Sequence, residues 1–197
     1  MSVAYAIIWV ITWPFVFLVY PRRVYGREHI PGAGAYLICG NHSSMIDPFL
    51  VAYSMGPRCH IHFMAKAELF RIPIIRTILR GIGMLPVDRK NGGAAAFMGA
   101  MRLLKSGEKV GIFPEGTRVH DEEARASKAG AVKLAARMGV PVVPVYIPRE
   151  KKILRFNKIV IGAPYQVELE KKASAEEADQ AAAELMEKIR ILGESVS

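Results

Sequence analysis

The sequence has few cysteines and lacks several motifs that identify common enzyme classes. Only two cysteines occur, Cys39 and Cys59, and they form no C-x-x-C pair. This spacing suggests no disulfide framework, so we expect reduced thiols in a protein that faces the cytosol. No P-loop and no G-x-G-x-x-G are present, and nothing therefore indicates a nucleotide as fuel or redox cofactor. The G-x-S-x-G elbow of many serine hydrolases is also missing.

Acidic residues are the minority among the charged ones. The chain has 27 Lys and Arg against 18 Asp and Glu, which gives a formal net charge of +9. A basic protein favours polyanionic partners, and these include nucleic acid, anionic lipid headgroups and phosphorylated substrates. Composition alone does not choose among the three. With 197 residues, of which 51% are apolar, the chain is long enough for one domain with a hydrophobic core.

The N-terminal residues 3–20 contain no charged side chain, and the first charges are Arg22 and Arg23. As a helix this segment would be roughly 27 Å long, just short of a hydrocarbon core of about 30 Å. It has no basic start and no cleavage site, so a retained anchor fits better than a signal peptide. Pro14 and an aromatic stripe along its length favour a helix, or two short helices, embedded in one leaflet. A single span and a buried core helix are the alternatives.

The two arginines predict the side of the membrane on which the rest of the chain lies. By the positive-inside rule, the domain that follows Arg22 and Arg23 should be cytoplasmic. We therefore expect a membrane-anchoring segment at residues 1–21 and a single cytoplasmic domain at residues 22–197, at the cell membrane.

Predicted strands and helices alternate along the domain. We expect strands at 35–39, 60–65, 84–87, 109–113, 142–147 and 158–161, and helices at 48–55, 68–80, 93–105, 124–138 and from Ser174 onward. Ser174 and Glu177 form a capping box at the start of the last helix. This alternation predicts a single α/β domain with a mostly parallel or mixed sheet flanked by helices.

A first candidate site follows the strand at 35–39, where His42 and Asp47 lie five positions apart. Residues five apart do not share a helix face, so the loop must turn for the two side chains to meet. Pro48 favours such a turn, since it disfavours helical geometry at Asp47 and suits the first position of a new helix. A carboxylate on one ring nitrogen would prepare His42 as a general base. Alternatively, Asp47 is an ordinary helix N-cap and His42 is a loop histidine.

A second candidate site follows the strand at 109–113. The tight turn after Pro114 presents Glu115, Gly116, Thr117 and Arg118 at the end of that strand. Ligands of α/β proteins commonly bind where strands end, and an arginine there can hold a phosphate by paired hydrogen bonds. A plain turn with a surface ion pair explains the same residues equally well.

The two motifs in this order resemble those of the glycerophospholipid acyltransferase family, and most closely the 1-acylglycerol-3-phosphate acyltransferases. Further segments agree over roughly residues 22–165: Lys66 with Glu68 and Leu69, residues 83–89 ending in Arg89, and residues 140–145. The sequence departs from many relatives at Leu85 and Pro86, where an aromatic residue is usual.

The resemblance implies a mechanism without a covalent acyl-enzyme and without a cofactor or metal. His42 would deprotonate the free hydroxyl of lysophosphatidic acid, and Asp47 would orient His42. The hydroxyl oxygen would attack the thioester of acyl-CoA or acyl carrier protein. Lys66, Arg89 and Arg118 would hold the acceptor's phosphate, and the turn with Glu115, Gly116 and Thr117 would complete the binding site.

Two other features have weaker functional readings. Residues 68–80 mix apolar side chains with three arginines, which suits either contact with an anionic membrane or a core helix. Cys59, His60 and His62 could suggest a metal site, but no fourth ligand is evident.

Three other functions remain open from the sequence. The enzyme could use glycerol-3-phosphate or another lysolipid as its acceptor. The chain could be a catalytically inactive, membrane-associated binding protein of the same fold. A nucleic-acid-binding role is suggested only by the charge, and the chain carries no recognisable nucleic-acid-binding module.

Overall fold

The computed structural model of the chain describes residues 3–88, 93–114, 121–170 and 173–196. Six α-helices are assigned in these ranges: α1 (Val3–Val19), α2 (Asp47–Met55), α3 (Pro73–Gly81), α4 (Ala94–Lys105), α5 (Asp121–Met138) and α6 (Ala175–Glu194). The seven strands are β1 (Arg22–Tyr25), β2 (Tyr36–Gly40), β3 (Ile61–Lys66), β4 (Leu85–Val87), β5 (Lys109–Ile112), β6 (Val142–Tyr146) and β7 (Asn157–Ile161).

The strands form one mixed sheet in the order β1-β7-β6-β2-β5-β3-β4. Every neighbouring pair is parallel except β6 and β7, which are antiparallel. The predicted α/β domain with a mixed sheet is therefore confirmed. Four adjacent strands, β6, β2, β5 and β3, run in the same direction, so the loops that follow them emerge at one edge of the sheet.

Strand β2 at the centre of the sheet is buried along its whole length. Tyr36 and Ile38 pack toward α1 and α2, whereas Leu37 and Cys39 pack toward α4, α5 and α6. This alternation follows from the two-residue period of a strand, and both faces are apolar because helices cover both. The result is a three-layer domain with a separate apolar core on each face of the sheet.

Helix α1 lies against the domain along one side only. Tyr5 and Val16 are buried, and the Tyr53 hydroxyl of α2 donates to the carbonyl of Trp9 and shares a hydrogen bond with Thr12. Most of its other apolar side chains are exposed: Val3, Ile7, Val10, Ile11, Trp13, Phe15, Phe17 and Leu18. The reading of this segment as a buried core helix is therefore wrong. The predicted aromatic stripe is divided, because Tyr5 and Trp9 contact the domain while Trp13 and Phe17 stack together on the outside.

The helix is continuous through Pro14. Among the residues that the structure describes, no helix is both long enough and apolar enough to span a membrane.

Two elements differ from the sequence-based expectation. Residues Arg22–Tyr25, where no strand is predicted, form strand β1, which pairs with β7 at the sheet edge. The predicted helix at 68–80 is interrupted, because Pro73 disfavours helical geometry at Ile72: a 3-10 turn covers Ala67–Arg71, and α3 begins at Pro73. No residue of α3 is buried, so the core-helix interpretation of this segment is also wrong.

The last helix begins as predicted. The Ser174 side chain accepts a hydrogen bond from the Glu177 amide, and the Glu177 side chain accepts one from the Ser174 amide. One apolar face of this helix packs into the core through Ala178, Ala182, Leu185 and Ile189.

Candidate active site

The candidate site lies at the carboxyl edge of the parallel strands, the position where ligands bind in many α/β proteins. The loop after β2 carries His42, and the loop after β6 carries Lys151. On the other side of β2 from β6, β5 leads into Phe113. Residues from distant parts of the sequence therefore meet because their strands are neighbours in the sheet.

His42 and Asp47 are in direct contact, as their spacing and Pro48 predicted. The Nδ1 atom of His42 lies 2.9 Å from Oδ2 of Asp47. Helix α2 starts at Asp47, and the carboxylate turns back over the preceding loop instead of capping the helix. The alternative that Asp47 is an ordinary N-cap is wrong.

The Asp47 carboxylate is fully buried yet accepts several hydrogen bonds. Besides His42, the backbone amides of Ser43 and Ser44 each donate to Oδ2 at 2.8 Å, and the Lys151 ammonium lies 2.7 Å from Oδ1. Burial opposes ionisation, but these four donors together hold the pKa of Asp47 below its usual value. The residue is therefore a carboxylate across the neutral pH range.

The His42 ring is supported from one side by aromatic packing. It stacks on Phe113, with ring centroids 4.5 Å apart and an angle of 19° between the planes. Phe113 stacks in turn on Phe63 of β3 at 5.6 Å. Nδ1 is bonded to Asp47, and Phe113 holds the ring in place. Nε2 is therefore the nitrogen that exchanges a proton with a substrate.

Asn41 joins the two loops that form the site. Its Nδ2 donates to the carbonyl of Ile147 at 2.6 Å, and its Oδ1 accepts from the Ile147 amide at 2.8 Å. Asn41 is buried, so both polar groups would be costly to leave without partners. This paired contact sets the position of the loop after β6 relative to His42.

Sequence reasoning missed Lys151, Asn41 and the stacking role of Phe113. Lys151 lies 104 positions after Asp47, and only the adjacency of β2 and β6 brings the two together. Side-chain exposure is 7% for Lys151 and 0% for Asp47, so this is a buried ion pair. The sequence signal that could have found it is a basic residue in the loop after a strand that resembles the family's last motif.

The other predicted site residues divide into two groups. Lys66 ends β3 at the same edge of the sheet and is exposed to solvent, as a phosphate-binding lysine must be. Arg89, Glu115, Gly116, Thr117 and Arg118 lie outside the described residues. The unusual Pro86 lies in β4, which is an edge strand where the missing amide hydrogen is tolerated.

His60, just before β3, and His62, within β3, have structural partners. His60 Nε2 lies 2.9 Å from the carbonyl of Ile82, and His62 Nδ1 lies 2.8 Å from that of Gly83. Both rings thus hold the turn after α3 against β3. Within the described ranges, no cluster of three or more His, Cys, Asp or Glu side chains is arranged to hold a metal ion.

Comparison with known proteins identifies the family to which the chain is similar. A family model described as Acyltransferase matches residues 21–148. A 1-acyl-sn-glycerol-3-phosphate acyltransferase of Bacillus subtilis is 37% identical over 147 residues, which are 72% of this chain and 72% of that protein. One of the same name from Borreliella burgdorferi is 36% identical over 124 residues, which are 62% of this chain and 49% of that protein.

A solved structure has the same fold. The crystal structure of the 1-acyl-sn-glycerophosphate acyltransferase PlsC from Thermotoga maritima superposes with a TM-score of 0.67 at 26% sequence identity. The match covers 93% of this chain and 75% of that chain. The family model extends from β1 to the loop after β6 and includes both His42 and Asp47. On this evidence, the chain belongs to the Acyltransferase family.

Proposed function

We propose that the protein is a 1-acyl-sn-glycerol-3-phosphate O-acyltransferase, which converts lysophosphatidic acid to phosphatidic acid. The observation that carries the proposal is the buried Asp47 carboxylate bonded to His42 at the sheet edge, in a chain of this family. Relatives that carry this activity in their names support the choice of acceptor.

The reaction requires a base and no protein nucleophile. Nε2 of His42 takes the proton of the acceptor's 2-hydroxyl while that oxygen forms a bond to the thioester carbonyl carbon. Asp47 stabilises the imidazolium that results. As the carbon–sulfur bond breaks, the departing thiolate takes a proton from His42, and the base is restored. Ester and thiol are the products, so no cofactor is consumed.

The cationic side chain of Lys66 at the same edge suits the acceptor's phosphate. Lys66 ends the neighbouring strand β3, and we assign it to phosphate binding together with Arg89 and Arg118. Arginine binds phosphate through paired hydrogen bonds, whereas lysine acts as a point charge. In this proposal the turn with Glu115, Gly116 and Thr117 shapes the pocket. The donor is acyl-CoA or acyl carrier protein, each of which presents a thioester.

The exposed apolar surface of α1 supports attachment to the cell membrane, with residues 1–21 as the anchor and 22–197 as a cytoplasmic catalytic domain. Helix α3 adds the exposed Ile74 and Ile78 with two arginines, Arg76 and Arg80, a composition that suits an anionic lipid surface. One side of α1 packs against the domain, and its remaining surface is apolar. This pattern fits a helix that lies in one leaflet of the bilayer.

The function is tested by acyl transfer in membranes that carry the wild-type chain or matched amounts of His42→Ala. Labelled acyl-CoA and acyl carrier protein serve as separate donors, and lysophosphatidic acid, glycerol-3-phosphate and a lysolipid without a free phosphate serve as acceptors. We expect phosphatidic acid from wild type and a loss of about 10²- to 10⁴-fold in the variant, the usual contribution of a general base.

Preference for another acceptor would keep the mechanism but change the substrate. Equal product from wild type and His42→Ala would exclude His42 as the base. Attachment is tested separately by extracting membranes with alkaline carbonate. Release of the full chain into the soluble fraction would argue against the anchor.

A further inference from the structure

Lys151 contacts the buried carboxylate on the side opposite His42. The two oxygens of Asp47 are divided between them: Oδ2 faces His42 Nδ1 at 2.9 Å, and Oδ1 faces the Lys151 ammonium at 2.7 Å. Within the described residues, His42 and Lys151 are the titratable groups that contact Asp47. A carboxylate removed from water would take up a proton unless positive charge or donors held it ionised.

The Lys151 ammonium is itself held at a defined position. It donates to the Ser43 hydroxyl, and it lies 3.5 Å from the carbonyl of Arg149. The Ser43 hydroxyl donates to the same carbonyl at 2.9 Å. An ammonium has three hydrogens, and Asp47, Ser43 and Arg149 offer one acceptor each. Lys151 thus has little freedom to leave Asp47 for a substrate.

We propose that Lys151 is a positioning residue for the acyl transfer: it keeps Asp47 ionised and turned so that Oδ2 faces His42. The role rests on the proposed function, since it acts through the base of that reaction. Lys151 touches neither hydroxyl nor thioester in this role. Its positive charge also balances Asp47 in the part of the cycle in which His42 is neutral.

The test compares Lys151→Gln, Lys151→Arg and wild type in purified full-length enzyme. Glutamine can still donate to Asp47 but carries no charge, whereas arginine keeps the charge. For Lys151→Gln we expect kcat to fall by about 10- to 100-fold, as for other groups that orient a catalytic side chain from behind. KM for both substrates should stay within about twofold of wild type. Lys105→Met, at an exposed position at the end of α4, is the matched control and should leave both parameters unchanged.

The pH dependence separates positioning from packing. Without the positive charge Asp47 takes up a proton more readily, so the acid limb of the kcat profile should move to higher pH in Lys151→Gln. Lys151→Arg should restore the limb and most of kcat. Rates are expressed per folded enzyme. If Lys151→Gln does not fold, Ser43→Ala, which removes one acceptor of the ammonium, should move the same limb by less.

Several results would overturn the proposal. One is an acid limb of the kcat profile that stays at its wild-type pH in folded Lys151→Gln. If Lys151→Gln does not fold, the same result in Ser43→Ala would overturn the proposal. Another is a raised KM for the acceptor at unchanged kcat, which would make Lys151 a phosphate ligand. A wild type inactive on every acceptor would remove the proposed function and this role with it.

A second, independent observation concerns the tip of the loop after β6, residues 153–156. Ile153, Leu154 and Phe156 are 61%, 72% and 57% exposed, although apolar. Leu154 has φ +57° and is the only non-glycine residue with positive φ in the described ranges, a conformation that side chains rarely adopt. The backbone thus holds an unfavourable geometry while pointing an apolar residue into solvent.

The loop tip is rigidly attached at its base. Buried Asn157 donates from its amide nitrogen to the carbonyls of Pro21, Lys152 and Arg155, and its Oδ1 accepts from the Lys152 amide. The Leu154 amide donates to the carbonyl of Val19 at 2.8 Å, so the tip lies against the end of α1. Its neighbours Lys152 and Arg155 are exposed cations.

We infer that the loop tip inserts into a lipid bilayer with anionic headgroups, beside the end of α1. Apolar side chains flanked by lysine and arginine match the acyl chains and headgroups of such a surface. Because Lys151 lies two positions before the tip, the contact would place the site at the membrane surface where a lysolipid resides.

A fluorescent probe at position 153 tests the insertion. The full-length Ile153→Cys protein is labelled with a thiol-reactive dye and reconstituted into vesicles that contain phosphatidylglycerol. Cys39 and Cys59 are buried, and burial raises the pKa of both thiols, so they should not react. Gln180→Cys, on the exposed side of α6, is the matched control.

The two probes should respond oppositely to two quenchers. We expect lipids with brominated acyl chains to quench the dye at 153 and leave the dye at 180 bright. Aqueous iodide should quench the dye at 180 and leave the dye at 153 bright. A dye at 153 that iodide quenches as strongly as the dye at 180 would show that the tip stays in water and overturn the inference.

Discussion

At the scale of single residues, the site is organised around one carboxylate. Asp47 is fully buried and has contacts on both oxygens, so its orientation is determined before any substrate arrives. A preorganised group needs no rearrangement during the reaction, which is the main advantage of an enzyme site over water. His42 receives its orientation from Asp47 on one side and from Phe113 on its face.

Replacing Asp47 by Asn should separate orientation from charge. Asparagine has the same shape but cannot stabilise an imidazolium, so we expect kcat to fall by about 10²-fold or more. KM should change little, because Asp47 does not face the substrates. Ser44→Ala serves as the control, since it keeps the backbone amide that donates to Asp47. Unchanged turnover in Asp47→Asn would contradict the assigned role.

Gly111 in β5 occupies a position where no larger residue fits. A Cβ there would lie 2.4 Å from the ring of Phe63, which supports Phe113 under His42. We expect Gly111→Ala to lower the free energy of unfolding by about 1–3 kcal/mol, the usual cost of overpacking.

The matched control for this change is Gly130→Ala in α5, where a Cβ meets nothing within 4 Å. It should be neutral or stabilise the fold by up to about 1 kcal/mol. Urea denaturation followed by circular dichroism measures both variants, and equal stabilities would show that the Phe63 ring shifts without cost.

At the scale of elements, the attachment of α1 depends on few polar contacts. The Tyr53 hydroxyl links the middle of α1 to α2 through Trp9 and Thr12. Tyr53→Phe keeps the ring packing but removes these bonds, each worth about 0.5–1.5 kcal/mol. We expect faster hydrogen exchange in α1 and unchanged exchange in β2 and β5. Equal exchange rates in α1 would mean that apolar packing alone holds the helix.

The sequence predicted the central elements better than the edges. Strands β2 and β6 are short, largely apolar runs bounded by turn residues, and their length of five residues favours a strand over a helix. Strand β1, in contrast, is Arg-Arg-Val-Tyr, a pattern that has no apolar run and becomes a strand only by pairing with β7. Local sequence does not contain that information.

The candidate site was predictable where its residues are close in sequence. His42 and Asp47 were found because five positions and a proline suffice to infer a turn. Lys151 was missed because its contact depends on which strands are neighbours, and strand order cannot be deduced from hydrophobic periodicity. The assignments of Arg89 and of the residues from Glu115 to Arg118 stay predictions.

At the scale of the whole molecule, the buried carboxylate makes stability depend on pH. The pKa of Asp47 is below the value of about 3.9 that an aspartate has in an unfolded chain. Ionised Asp47 therefore stabilises the fold. This stabilisation is fully present above the unfolded-state pKa, and it is lost as the pH falls through the lower folded-state pKa.

We expect the free energy of unfolding to decline as the pH falls from about 5 toward 3, and to decline less in Asp47→Asn. Urea titrations of both proteins across this interval measure the difference. Parallel curves would show that other carboxylates account for the acid sensitivity.

The pairing of β1 with β7 also has a consequence for synthesis of the chain. The amide of Asn157 in β7 binds the carbonyl of Pro21, 136 positions earlier. On the ribosome, α1 and β1 emerge long before the strand that completes them has been translated. The apolar surface of α1 is therefore present on the nascent chain while the sheet is still incomplete. Because β6 and its loop are translated just before β7, the nascent chain has neither Lys151 beside Asp47 nor a complete sheet until β7 has been made.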